Sequence, residues 1–224
     1  ALSSDGATLA IGADGNDAAG SSAGHVRVFW WNGTAAVWDQ RGADIYGEAA
    51  GDYSGYSVAL SGDGATLAVG AYGNDAAGIV AGQVRVFGWN GTAAVWVQRG
   101  TDIDGEAAGD QSGWSVALSG DGATLAIGEI GYNAAGTQAG RVRIFGWNDI
   151  AAVWEQRGAD IDDGTIGESD FDTSGYSVAL SSDGTILAVG AIGEDAYTGR
   201  VRIFGWNGIA AMWVQRGADI DGEA

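Results

Sequence analysis

The chain has 224 residues with 41 glycines, no proline and no cysteine, which excludes disulfides and thiolate chemistry and suits one large all-β domain. Its 29 acids against ten bases, all arginine, give a net charge of −19 that repels nucleic-acid phosphates and anionic membrane surfaces. A hydrophobic content of 46% is enough for a packed core, and no apolar run is long enough to span a bilayer as a helix.

Ala1-Leu2-Ser3 opens the chain as a truncated strand, and Asp5-Gly6 follows as its turn. The same Ala-Leu-Ser-x-Asp-Gly pattern returns at Ala59, Ala117 and Ala179, with its aspartates 58, 58 and 62 residues apart. A second marker, Gln-Arg-Gly, places Arg41, Arg99, Arg157 and Arg216 at intervals of 58, 58 and 59 residues. The chain is therefore read as four tandem units of about 58 residues, approximately 1–55, 56–113, 114–175 and 176–224.

The second unit displays the elements most cleanly. Tyr56–Ser61 alternates large and small residues as a strand does, and Asp63-Gly64 supplies a tight turn. Thr66–Ala71 is the second strand, and a Gly/Asn/Asp loop leads to the third, Val84–Trp89. Asn90-Gly91 is a hairpin signal, and Ala94–Arg99 is the fourth strand. Within the third interval the extra residues fall at Asp163–Ile166, and a compensating deletion follows Asp195, which marks both places as loops.

Tyr56, Val58 and Leu60 share one face, with Leu67, Val69 and Ala71 on the equivalent face of the next strand; the opposite faces are small, and neither is charged. A sheet covered on both faces by neighbours fits this pattern. The expected fold is all-β: a β-propeller, or a stretch of one, in which each unit is a four-stranded antiparallel blade. A linear β-solenoid is the alternative, but its shorter repeats would not predict a hairpin at Asn90-Gly91.

Gly55–Leu60, Leu67–Ala71 and Gly82–Phe87 together resemble the FG-GAP repeat of integrin alpha-subunit propellers. With a Trp-Asn-Gly and an Asp-Ile-Asp-Gly-Glu-Ala in its units, the chain is more similar still to large bacterial and algal surface proteins built from many such repeats. The resemblance covers all four units. It implies a secreted or cell-surface adhesive propeller, seven-bladed in the integrin case, with calcium in the turn between the first two strands. Here that turn, Ser61–Ala65, has a single carboxylate, whereas calcium takes roughly six to eight oxygens.

A richer set of acids lies between units: Asp102, Asp104, Glu106 and Asp110, with counterparts Asp44, Glu48 and Asp52 before them. Asp160, Asp162, Asp163, Glu168, Asp170 and Asp172 follow in the third link, and Asp219, Asp221 and Glu223 begin the last. Carboxylates alternating around glycine resemble the start of a calcium loop, so Asp102, Asp104, Glu106, Asp110, Asp160, Asp162, Glu168 and Asp170 are the candidate ligands of a Ca2+ ion. The competing reading is a set of turns whose acids cap backbone amides or pair with arginine.

The tryptophans recur in pairs: Trp31 and Trp38, Trp89 and Trp96, Trp147 and Trp154, Trp206 and Trp213. They are read as packing between units, with sugar stacking as the alternative. Trp30 and Trp114 break the repeat and are the candidate ligand-stacking residues. The repeated arginines are expected to pair with the acidic links. His25, whose counterparts are Gln83, Arg141 and Arg200, assembles with no Ser-His-Asp set, and no single copy stands out as a grafted catalytic site.

The sequence therefore leads to an extracellular or cell-surface binding and adhesion module without catalysis, with a protein or glycan ligand. A self-assembling propeller without a small ligand and a glycan-binding lectin are the alternatives. The shortened first strand and the repeat that stops at Ala224 predict a ring completed by a second copy or by further blades of a longer protein.

Overall fold

A computed structural model describes residues 1–133, 138–162, 172–193 and 199–223. Its described residues form four antiparallel sheets, one from each sequence unit, and no helix. In the first unit β1 (Thr8–Ala13), β2 (His25–Asn32) and β3 (Val37–Gln40) lie in that order, and β4 (Ile45–Tyr46) also pairs with β2. Leu2 bridges to Leu9 where the other units have a full first strand.

The second sheet runs β5 (Ser57–Leu60), β6 (Thr66–Ala71), β7 (Gln83–Asn90) and β8 (Val95–Gln98), with β9 (Ile103–Asp104) also on β7. The third runs β10 (Ser112–Leu118), β11 (Thr124–Glu129), β12 (Arg141–Asn148) and β13 (Val153–Gln156), with β14 (Ile161–Asp162) on β12. The fourth runs β15 (Ser177–Leu180), β16 (Ile186–Ala191), β17 (Arg200–Asn207) and β18 (Met212–Gln215), with β19 (Ile220–Asp221) on β17.

The two-residue strands correct the sequence reading, because the start of each acidic link is not a loop. In the second unit β8 leaves β7 at the Phe87↔Gln98 pair, and β9 rejoins it at Val84↔Ile103 and Gln83↔Asp104. Four residues, Arg99 to Asp102, thus face two, Arg85 and Val86. The excess is taken up at Gly100, whose φ of 85° a side chain would oppose. Ile103 plugs the core beyond this kink, so the outer strand is one strand broken in the middle.

The turns also divide differently from the expectation. Asn90-Gly91 is not a two-residue hairpin: Gly91–Ala94 form a four-residue loop, and the left-handed residue is Ala94 at φ 54°. Asn90 supplies its side chain instead, with Oδ1 accepting from Thr92 N and Ala93 N at 3.1 Å each. Asp63 acts similarly, accepting from Ser61 Oγ at 2.6 Å and Ala65 N at 2.9 Å, so that single carboxylate braces its turn.

The sheets pack face to face, bulky side against small side. Ala10, Val26, Val28 and Ile45 of the first meet Leu67, Val69 and Phe87 of the second. Ala68, Val84, Val86 and Ile103 meet Leu125, Ile127 and Phe145 of the third, and Ala126, Val142, Ile144 and Ile161 meet Leu187, Val189 and Phe204 of the fourth. Gly70 makes this fit possible near the inner strands: a Cβ there would fall well inside van der Waals contact with Gly113 O and Ser57 Oγ.

Backbone bonds join the turns into a chain across all four units, from Ser4 N to Gly62 O, Gly62 N to Gly120 O and Gly120 N to Ser182 O, at 2.8–2.9 Å. The repeated arginines ending the fourth strands extend this clamp and do not reach the acidic links. Arg41 Nη1 donates to Gly64 O of the next unit at 2.9 Å, and its guanidinium lies 4.7 Å from the Trp89 ring centre. Trp96 Nε1 returns a bond to Arg41 O at 2.8 Å, and Arg99 with Trp154 and Arg157 with Trp213 repeat the exchange. Burial pushes the Arg41, Arg99 and Arg157 pKa values down, against the nearby aspartates that pull them up.

Candidate binding surfaces and the acidic links

The candidate calcium ligands that are described have protein partners. Asp102 Oδ1 accepts from Gln98 Nε2 at 2.6 Å, and Asp104 Oδ1 from Gln83 Nε2 at 3.2 Å. Glu106 Oε2 accepts from Arg141 Nη1 at 2.8 Å. Asp110 is buried and accepts from Ala107 N at 3.0 Å and Arg141 Nη2 at 3.2 Å. Asp160 bonds Gln156 Nε2 at 2.6 Å and Arg141 Nη1 at 2.8 Å, and Asp162 lies in β14 opposite Arg141. Glu168 and Asp170 lie outside the described residues. Among the described residues, no three His, Asp or Glu side chains are grouped so as to hold a metal ion.

The cation that acids of the second and third links both meet is a guanidinium. Arg141 is buried and pairs with Glu106, Asp110, Glu129 and Asp160. Its Nε donates to Glu129 Oε2 at 2.5 Å, and Arg143 Nε donates to Glu129 Oε1 at 2.7 Å, with a second bond from Arg143 Nη2. Tyr132 covers the Arg141 guanidinium at 4.1 Å. Burial alone would lower the Arg141 pKa, but Glu129, Glu106 and Asp160 outweigh it and drive it upward. The hydrogen bond from Arg141 holds the Glu106 carboxyl below the usual range.

This cluster is the departure from the repeat that the sequence reading passed over. Where the second unit has Ala71, Asn74 and Gln83, the third has Glu129, Tyr132 and Arg141. A glutamate in place of alanine at the end of a buried strand was the signal. It is an internal ion network, with every charge directed at another protein group.

Trp114 lies at a second departure. It stands in β10 where the register shifts between Ser112 and Ser115, on a backbone turn that recurs at Tyr56 and Tyr176, each donating its N–H to the carbonyl three residues before. Around it gather Tyr56 at 4.7 Å, Tyr72 at 5.1 Å and Tyr176 at 5.8 Å between ring centres, and Tyr72 stacks on Tyr53 at 5.1 Å. The five rings come from all four units, with Tyr53 from the link that ends the first. Tyr56 and Tyr176 are exposed, and Trp114 is half-buried. Burial pushes the Tyr56 and Tyr72 phenols up, reinforced by neighbouring tyrosines and Asp14.

Trp30, the other predicted stacking residue, is exposed in β2 and lines a groove of about 350 Å3 with Ala7, Thr8, Arg41 and Trp89, at the junction of the first two units. Corresponding grooves lie at the next two junctions, of about 610 Å3 at Trp89, Arg99 and Trp147, and about 330 Å3 at Trp147, Arg157 and Trp206. In the second to fourth units one tryptophan of each pair packs between units (Trp96, Trp154, Trp213) and the other borders a groove (Trp89, Trp147, Trp206), while Trp31 and Trp38 of the first unit are exposed.

Residues 47–87 and 97–145 match the family model described as the FG-GAP repeat. No curated protein is significantly similar to the chain in sequence. Among solved structures, the chain resembles a Bacteroides uniformis protein provisionally named a 6-phosphogluconolactonase, with a TM-score of 0.64 and 15% identity over 100% of this chain and 54% of that one. A Bacteroides fragilis protein with the same provisional name gives a TM-score of 0.58 and 13% identity over 100% and 57%. The chain spans little more than half of either protein, and the likeness concerns the fold. The repeat match lies mainly on the second and third units, which it supports as FG-GAP-like repeats, and the first and fourth units reproduce their sequence pattern.

Proposed function

We propose that the chain is a non-catalytic, extracellular binding module whose four sheets are successive four-stranded blades of a β-propeller. Its ligand contact is the aromatic patch around Trp114. The observation that carries this reading is the patch itself: five rings, partly solvent-facing, centred on a tryptophan that breaks the repeat. Core packing does not require it, since the other units manage the same position with tyrosine. Aromatic side chains anchor protein and glycan interfaces because they bury large area at small entropic cost.

The absence of catalysis rests on chemistry and not on the names of structural neighbours. The most repeat-breaking charged group, Glu129, is consumed by two arginines, and His25 packs edge-on against Tyr46 at 5.8 Å. A panel of extracellular proteins and glycans, presented to the native chain and to a Tyr56→Ala/Trp114→Ala variant, tests the reading. Ligands bound by the first and lost by the second support it. A panel on which the two behave alike overturns it.

A second reading, assembly through another unit of the same kind, is favoured by the outer faces of the array. Val201 and Ile220 of the fourth unit are 38% and 60% exposed, whereas their counterparts Val84 and Ile103 are 0% and 8% exposed against the third unit. On the first unit Ile11 is likewise exposed where Val69 is buried. The two faces are complementary in the way the internal junctions are, so further blades or a second copy would cover them. Light scattering reads this directly: a concentration-independent monomer mass excludes the second copy.

A further inference from the structure

The groove between the second and third units differs from its counterparts in a way that points to a ligand. Its lining includes Trp89, Asn90, Val97, Arg99 and Trp147, with Gly88 at its floor. In the first unit Asn32 Nδ2 donates to Asp39 at 2.8 Å, and in the third Asn148 Nδ2 donates to Glu155 at 2.9 Å. The second unit has Val97 at that position, so no carboxylate meets the amide of Asn90. The indole N–H of Trp89 has no acceptor among the described residues either, whereas Trp147 Nε1 donates to Asp149 at 2.7 Å. Trp89 and Asn90, both in the groove lining beside Val97 and Trp147, thus carry donors that no described protein group accepts.

We infer that this groove is a carbohydrate subsite for an uncharged oligosaccharide. Sugar hydroxyls supply the acceptors that Trp89 Nε1 and Asn90 Nδ2 lack, while the C–H faces of a pyranose suit Trp147 and Val97. Its volume of about 610 Å3 lies within the range of small-ligand pockets, roughly 300–1,000 Å3. The chain's net charge of −19 disfavours polyanionic glycans. The recurrence of smaller Trp–Arg grooves at the neighbouring junctions gives a polymeric sugar further points of contact, which raises avidity without raising the affinity of any one site. This subsite is separate from the Trp114 patch.

Gly88 provides a clean block. A Cβ there meets nothing within 4 Å, and Trp30 already occupies the corresponding position in the first unit. Maltotriose, cellotriose and mannotriose are titrated into the native chain, Gly88→Trp and Trp114→Ala, with saturation-transfer NMR and calorimetry as readouts and thermal midpoints as the folding check. The expected result is saturable binding of at least one sugar, weakened at least tenfold by Gly88→Trp, a larger loss than in Trp114→Ala. Failure of all three sugars to bind the native chain overturns the inference, as does equal binding by Gly88→Trp. Loss of binding only in Trp114→Ala moves the sugar to the inner patch and also overturns it, while leaving the proposed function standing.

Discussion

Glu129 sets the sharpest energetic test. Its side chain is 0% exposed and accepts from both Arg141 and Arg143, so Glu129→Ala leaves two buried guanidinium groups with fewer partners. Breaking a buried pair by removing one partner costs about 3–5 kcal/mol. Arg141 keeps Glu106, Asp110 and Asp160, which places the expected loss at the lower end, about 3 kcal/mol. For a chain of this length 1 kcal/mol moves the thermal midpoint by about 2–4 °C, so the shift should be about 6–12 °C downward. The second unit carries Ala71 and Gln83 at the corresponding positions, so Glu129→Ala with Arg141→Gln installs a pair the fold already accommodates. That double variant should recover more than half of the loss, and calorimetric melting of the four species of the cycle measures it. A Glu129→Ala shift below about 2 °C, or a double variant worse than the single, would refute the reasoning.

Gly70→Ala should destabilise by about 3 kcal/mol or more in urea unfolding, because its Cβ collides with Gly113 O. Gly88→Ala, which meets nothing, should stay within about 0.5 kcal/mol of the native chain. Burial holds the Tyr56 and Tyr72 phenols above the ordinary tyrosine pKa of about 10, so in the native state their phenolate absorbance should appear at higher pH than that of free tyrosine. The contribution of a raised group is fully present below its unfolded pKa and lost as pH rises through the folded one, so stability should fall above pH 10.0, and Tyr72→Phe should reduce that fall. Glu106 is lowered from 4.5, so its contribution is present above that value and is lost as pH falls through the folded pKa. Urea midpoints below pH 4.5 should therefore decline less steeply in Glu106→Gln than in the native chain.

Most of the architecture was legible because the copies check one another. The strand alternation in Val58–Leu60 and Thr66–Ala71 and the bulky-against-small packing follow from periods repeated in each unit. The fifth strand was not legible, since Ile103-Asp104 is too short to show a period and its acids suggested a loop. Asn90-Gly91 misled for a related reason: the asparagine works through its side chain, and Ala94 takes the left-handed conformation. At the candidate sites, Trp30 and Trp114 are singled out because they break the repeat. Glu129 breaks it as well, but its meaning depends on Arg141 and Arg143 lying beside it across the strands, a proximity that only the register reveals.

The proposed ligand contact is the Trp114 patch, where the copies differ at an exposed ring and not at a buried ion pair. Trp114→Tyr tests it most directly, because it installs the residue that Tyr56 and Tyr176 already provide at that position. Native chain and variant are compared on one protein and glycan array, with thermal midpoints measured on the same samples. The account predicts unchanged melting and a clear loss of the signals that the native chain gives. Identical array signals from the two proteins would contradict it.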